Sequence, residues 1–110
     1  MLLKTDIRIQ GLNSFLSMQI WQKRHYRDYC YWEVRKCIVP KQKEKIKKKV
    51  IITHYYRQKP FDKDNLMGGC KYVLDALTNY GLIYDDTPEW IDCEYVQVKD
   101  KKYHLDIEVL

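Results

Sequence analysis

A strand that must lie inside a sheet, followed at once by a helix, limits what a short chain can become. Val50–Arg57 (VIITHYYR) is β-branched or aromatic at almost every position, the pattern of a strand with neighbours on both sides. Pro60, which has no amide hydrogen, stops it. From about Asn65 the apolar residues Leu66, Cys70, Val73, Leu74 and Leu77 recur at helical spacing, and Gly81 ends the pattern. Asp64 is the expected cap of this helix. Gly68-Gly69 within it costs about 2 kcal/mol relative to alanine, so either the helix proper starts after the pair or another backbone passes close by.

The flanking segments complete one α+β domain. Lys4–Gln10 alternates and reads as a first strand. A long helix capped by Ser14 or Ser17 is expected to reach about Ile38, with Met18, Trp21, His25, Tyr29 and Trp32 as its core stripe; its first part, Phe15–Trp21, can equally be irregular. Glu89–Lys99 and Tyr103–Leu110 alternate as two antiparallel strands joined by a turn at Asp100-Lys101. The expected order is β-α-β-α-β-β, two helices on a mixed or antiparallel sheet. With 110 residues, 45% of them hydrophobic, the chain supports a single domain over 1–110.

Charge is divided along the chain. Residues 23–59 carry thirteen Lys or Arg against three acids, and residues 60–110 carry five against eleven. A basic half beside an acidic half suits a polyanion held by one and a cation by the other, or simply two solvated faces of opposite sign. Lys23, Arg24 and Arg27, interleaved with Tyr26, Tyr29 and Tyr31, are candidate phosphate contacts, as are Lys47, Lys48 and Lys49 at the end of a six-lysine run and Lys63 beside the acidic motif. No 18-residue apolar run exists, and Lys4, Asp6 and Arg8 interrupt the amino-terminal segment, so the expectation is a cytoplasmic protein without membrane contact. Cys30, Cys37, Cys70 and Cys93 lie 7, 33 and 23 apart, unlike zinc-ligand pairs, and are expected as reduced thiols. His54, alone within the strand, is expected as a hydrogen-bonded core residue.

Between Pro60 and Trp90 the acidic residues group in a way that suggests chemistry. Asp62 and Asp64, with Asn65 beside them, precede the helix; Asp85-Asp86 follow it. Carboxylates at the two ends of one helix can meet at one end of the sheet. Asp62, Asp64 and Asp86 together suit magnesium, or manganese, which takes oxygen ligands and completes its shell with water and substrate phosphate. Such a cation can activate water and stabilise charge during phosphodiester hydrolysis, and Lys71 can neutralise developing negative charge.

DKDNL at 62–66 followed by KYVLDALTNYGLIYDD at 71–86 resembles the RusA family of Holliday junction resolvases, small dimeric endonucleases often carried by phages and prophages. The resemblance implies a RusA-like fold, a homodimer, a branched-DNA substrate and magnesium-dependent paired incisions across a four-way junction, serving DNA recombination and repair. By position it implies catalytic and metal-binding roles for Asp62, Asp64 and Asp86, a catalytic role for Lys71, and supporting roles for Asn65 and Asp85. The chain departs from the pattern at Met67–Cys70, which adds three residues before the lysine: counted from the first acidic cluster, that position holds Gly68, whereas counted back from Asp75 it holds Lys71. A relative that binds branched DNA without cutting it, and a less selective metal nuclease, are the alternatives.

Overall fold

The computed structural model describes residues 1–110. Four strands, β1 (Leu2–Thr5), β2 (Lys48–Tyr56), β3 (Ile91–Lys99) and β4 (His104–Val109), form one sheet in the order β1-β4-β2-β3. β4 pairs antiparallel with both β1 and β2, and β2 pairs parallel with β3. The sheet is therefore mixed, the fold is α+β as expected, and β2 is interior. Along β2 the residues Val50, Ile52 and His54 are buried, opposite Val109, Ile107 and Leu105 of β4. Their pleat mates remain half-exposed, because one face of the sheet is covered and the other is not.

Four helices stand where two were expected: α1 (Leu12–Ser17), α2 (Ile20–Arg35), α3 (Lys63–Gly69) and α4 (Lys71–Asn79). The first long helix breaks at Met18-Gln19, where both residues are extended. Neither Ser14 nor Ser17 caps α2. Gln19 does, in a reciprocal capping box with Gln22. The buried face of α2 is Tyr26, Cys30, Glu33 and Val34, so the expected stripe is displaced in part: Met18 and Tyr29 pack half-buried against the core, whereas Trp21 and Trp32 are 66% and 63% exposed and His25 is exposed as well.

Tyrosine hydroxyls explain part of that displacement. β1 ends at Thr5 rather than Gln10, although Ile7 and Ile9 remain buried in line with it. Its partner β4 starts at His104 and offers no ladder beyond Leu105. Amides of an unpaired buried strand need acceptors. The Arg8 amide donates to the Tyr29 hydroxyl and the Gln10 amide to the Tyr26 hydroxyl, each at 3.0 Å, while Tyr29 donates to Asp6 O and Tyr26 to Gly69 O. α2 is thereby turned so that Tyr26 points inward. Burial pushes the Tyr26 hydroxyl above its usual range and Cys30 up to about 12, so both stay neutral.

The strands β3 and β4 are not hairpin partners, because β2 lies between them. Their link crosses the end of β2, with the Asp100 amide donating to Tyr56 O at 2.8 Å. The four cysteines are free thiols, and no helix is long and apolar enough to cross a membrane.

Candidate active site

Asp62, not Asp64, caps α3. Its backbone is extended, Oδ1 accepts from the Asn65 amide at 2.9 Å, and Oδ2 accepts from Asn65 Nδ2 at 3.0 Å. Asn65 Oδ1 in turn accepts the Asn13 amide at 3.1 Å, which ties α1 to this corner. Asp64 falls in the first turn with its side chain in solvent, where a carboxylate also favours the helix dipole.

The chain reaches Asp62 through a clamped residue. Gln97 of β3 accepts the Phe61 amide on Oε1 at 3.0 Å and donates from Nε2 to Phe61 O at 2.8 Å. His54 Nδ1 lies 3.0 Å from the same Oε1, and its ring stacks on Phe61 with centroids 5.0 Å apart and planes within 3°. Because that oxygen only accepts, Nδ1 carries the imidazole proton and Nε2 is left buried without a partner. His54 is the core histidine expected, held neutral by a burial that lowers its pKa.

The glycine pair follows the second of its two expected readings. α3 runs through it, and a Cβ on Gly69 would collide with the Gln10 carbonyl, while one on Gly68 would meet the Leu12 side chain at 2.6 Å. The helix then breaks at Cys70 and restarts at Lys71.

Lys71, exposed at the start of α4, is one turn before Asp75. Asp75 is held above the usual carboxylate range by burial and then by the neighbouring Asp86 carboxylate; Lys71 acts in the opposite direction. Asp85 Oδ1 accepts the Asp86 amide at 2.8 Å and so orients the acidic turn. Lys71 and Asp86 line an open depression of about 470 Å³ whose wall includes Met67, Cys93 and Tyr95.

Of the three aspartates expected as a metal set, Asp62 and Asp64 line a second depression with Lys63 and Asn65, whereas Asp86 lines the first. No three carboxylate, histidine or cysteine side chains are gathered into a metal-binding group. The two depressions have no lining residue in common; on α3, Asp64 of one and Met67 of the other are three residues apart and both exposed. Asp75 is the residue that sequence reasoning left outside the site. Its signal was the four-residue spacing from Lys71 on one helical face.

The expected phosphate contacts divide similarly. Lys23 lies over the Phe15 ring at 5.2 Å and Arg27 over Tyr31 at 5.7 Å, both on α2 with the exposed Arg24. Lys47 is exposed, Lys48 is half-buried at the start of β2, and Lys49 pairs with Glu94 at 3.5 Å. No protein-family model matches the chain, and no curated protein matches it.

Proposed function

We propose that this chain is a metal-dependent, structure-selective endodeoxyribonuclease that resolves four-way DNA junctions as a homodimer, the activity implied by its resemblance to the RusA resolvases. The observation that supports the reading is that Asp86 and Lys71 line one open depression, with the half-buried Asp75 close enough to feel both, while Asp62 and Asp64 line another. Opposed cuts in a junction need two matching sites, which a twofold dimer supplies.

The donor set fits magnesium or manganese. All four aspartates offer hard oxygen donors, and Asp75 is held above the usual carboxylate range first by burial and second by the Asp86 carboxylate nearby. Asp86 in one depression and Asp62 and Asp64 in the other would be the carboxylates to hold the ion, brought to it together with substrate phosphate. A bound cation supplies water activation and charge stabilisation at phosphorus. Lys71, at the rim, suits a contact with a non-bridging phosphate oxygen, and Asp85 holds the Asp86 backbone in place.

The test is cleavage of a labelled four-way junction in magnesium, with linear duplex as control. Asp86→Asn and Asp64→Asn are each expected to cut at least about a hundredfold more slowly while binding the junction as before. Wild-type rates in both variants would exclude the site. A second reading, a relative that binds junctions without cutting, is favoured by one feature: both Asp62 oxygens are already occupied by Asn65. Calorimetric titration with magnesium separates the two, because a binder alone gives no heat that Asp86→Asn removes.

A further inference from the structure

A groove of about 380 Å³ lies between α2 and the segment following β1, outside the carboxylate site. Its wall carries Trp21, His25, Tyr29 and Arg8, with the amide side chains of Gln10 and Gln22, and no acidic residue. Trp21 is 66% exposed, yet its indole is oriented, since Nε1 donates to Gln19 Oε1 at 2.8 Å. An exposed, held aromatic beside an arginine and two amides has the parts needed to stack a base, meet a phosphate and hydrogen-bond a base edge.

The groove does not stop there. Arg8 and Gln10 also line the next depression, which Phe61 and Tyr103 close on its far side. Phe61 and Tyr103 line a further one, which ends on Asp62 and Asn65, and those two open onto the depression of Asp64. The shared residues set these four depressions in a row along the surface, a track from Trp21 to the acidic corner. Its two intermediate rings form a rigid wall: Tyr103 has Arg8 4.2 Å over its ring and His54 stacked 6.4 Å away, and Phe61 is stacked on one face by buried His54 and clamped through its backbone by Gln97, so Trp21 is the exposed stacking surface. Before Asp62 its lining carries Arg8, His25 and Lys59 and no carboxylate.

We infer that this track binds single-stranded DNA, leading an unpaired strand from Trp21 across Arg8, Tyr103 and Phe61 to the Asp62–Asp64 corner. A rigid duplex presents no base faces to such a surface; a strand freed at a branch point does. Charge decides against a protein occupant, because an anionic, ring-bearing polymer complements a wall of cations and aromatics better than an apolar helix does. The track adds a substrate feature to the junction-endonuclease reading and rests on that reading only for where the strand ends.

The experiment is fluorescence titration in EDTA with oligothymidylate, oligouridylate and a duplex of equal length, so that binding is read without any cleavage. In protein whose Trp32 and Trp90 are replaced by Phe, oligothymidylate is expected to quench Trp21 emission and duplex is not. Trp21→Ala is expected to weaken oligothymidylate binding about tenfold and to leave duplex binding unchanged. Arg8→Gln is expected to lower the slope of log affinity against log salt by about 0.7, the release expected for one single-strand phosphate contact. Absence of quenching, or equal losses for duplex and oligothymidylate in Trp21→Ala, overturns the track. So does preference for oligouridylate, which would move the ligand to RNA. So does unchanged oligothymidylate affinity with a smaller sedimenting species, which would make Trp21 part of a protein interface. Failure of junction cleavage alone rejects the endonuclease reading and leaves this result standing.

Discussion

At the scale of single residues, His54 shows how burial sets a pH dependence. The folded chain lowers its pKa, so the unfolded chain takes up a proton near the ordinary value of about 6.5 while the folded one does not. Its contribution to stability is therefore complete above that pH and is lost as pH falls below it, with a limiting slope of about 1.4 kcal/mol per pH unit. Melting temperature measured between pH 7.5 and 5 is expected to fall more steeply for the wild type than for His54→Phe, which keeps a ring against Phe61 and cannot titrate. Parallel curves would mean that His54 is protonated in the fold. The sequence marked His54 as a core residue; its partner Gln97 is 43 positions away and was invisible to any local pattern.

Among elements, the glycine pair is where local propensity and packing disagree. A helix would prefer alanine at both positions, yet α3 passes so close to the segment after β1 that Gly69 faces the Gln10 carbonyl and Gly68 faces Leu12. Gly69→Ala is expected to cost about 1–3 kcal/mol, because a carbonyl in the Tyr26-braced segment cannot move aside. Gly68→Ala meets a flexible side chain and is expected to cost less. Urea denaturation of the two variants gives the comparison, and equal midpoints would remove the distinction between them. The packing of that segment also explains why helical periodicity was right for α4 and misled for α2. In α4 the buried Val73, Leu74 and Leu77 are among the residues the spacing selected. In α2, hydrogen bonds from Tyr26 and Tyr29 to the neighbouring segment outweighed the area of Trp21 and Trp32.

For the whole molecule, folding brings the two charged halves of the chain together in one sheet, where β2 lies between β3 and β4 and Lys49 pairs with Glu94. The basic loop at 41–47 is anchored to the end of α4: the Lys41 amide donates to Tyr80 O at 3.0 Å, and Gly81, at φ +82°, leaves room for the Lys41 carbonyl. Its lysines are thus presented at a defined place. Since Lys49 pairs with Glu94 and Lys48 is half-buried, Lys43, Lys45 and Lys47 are the better candidates for phosphate contact. Replacing these three with Gln is expected to lower the salt slope of duplex or junction binding by about 0.9 for each that meets a phosphate. An unchanged slope would make the loop a solvated surface only.

The sequence by itself determined the α+β class, the interior position of β2, the strand-to-helix passage through Pro60 and the presence of carboxylates on both sides of α4. Each of these depends on local propensity, on a period of two or 3.6, or on a residue with one dominant conformational effect. Only the tertiary structure decided that β2 separates β3 from β4, that Asp62 is the cap, and that Asp75 lies near Asp86 while Asp62 and Asp64 line a separate depression. The strand order depends on pairings between residues far apart along the chain, which no local window contains. The cap is a local contact, between Asp62 and Asn65, and turns on where the extended backbone before α3 ends, which the packing of Phe61 against Gln97 and His54 fixes.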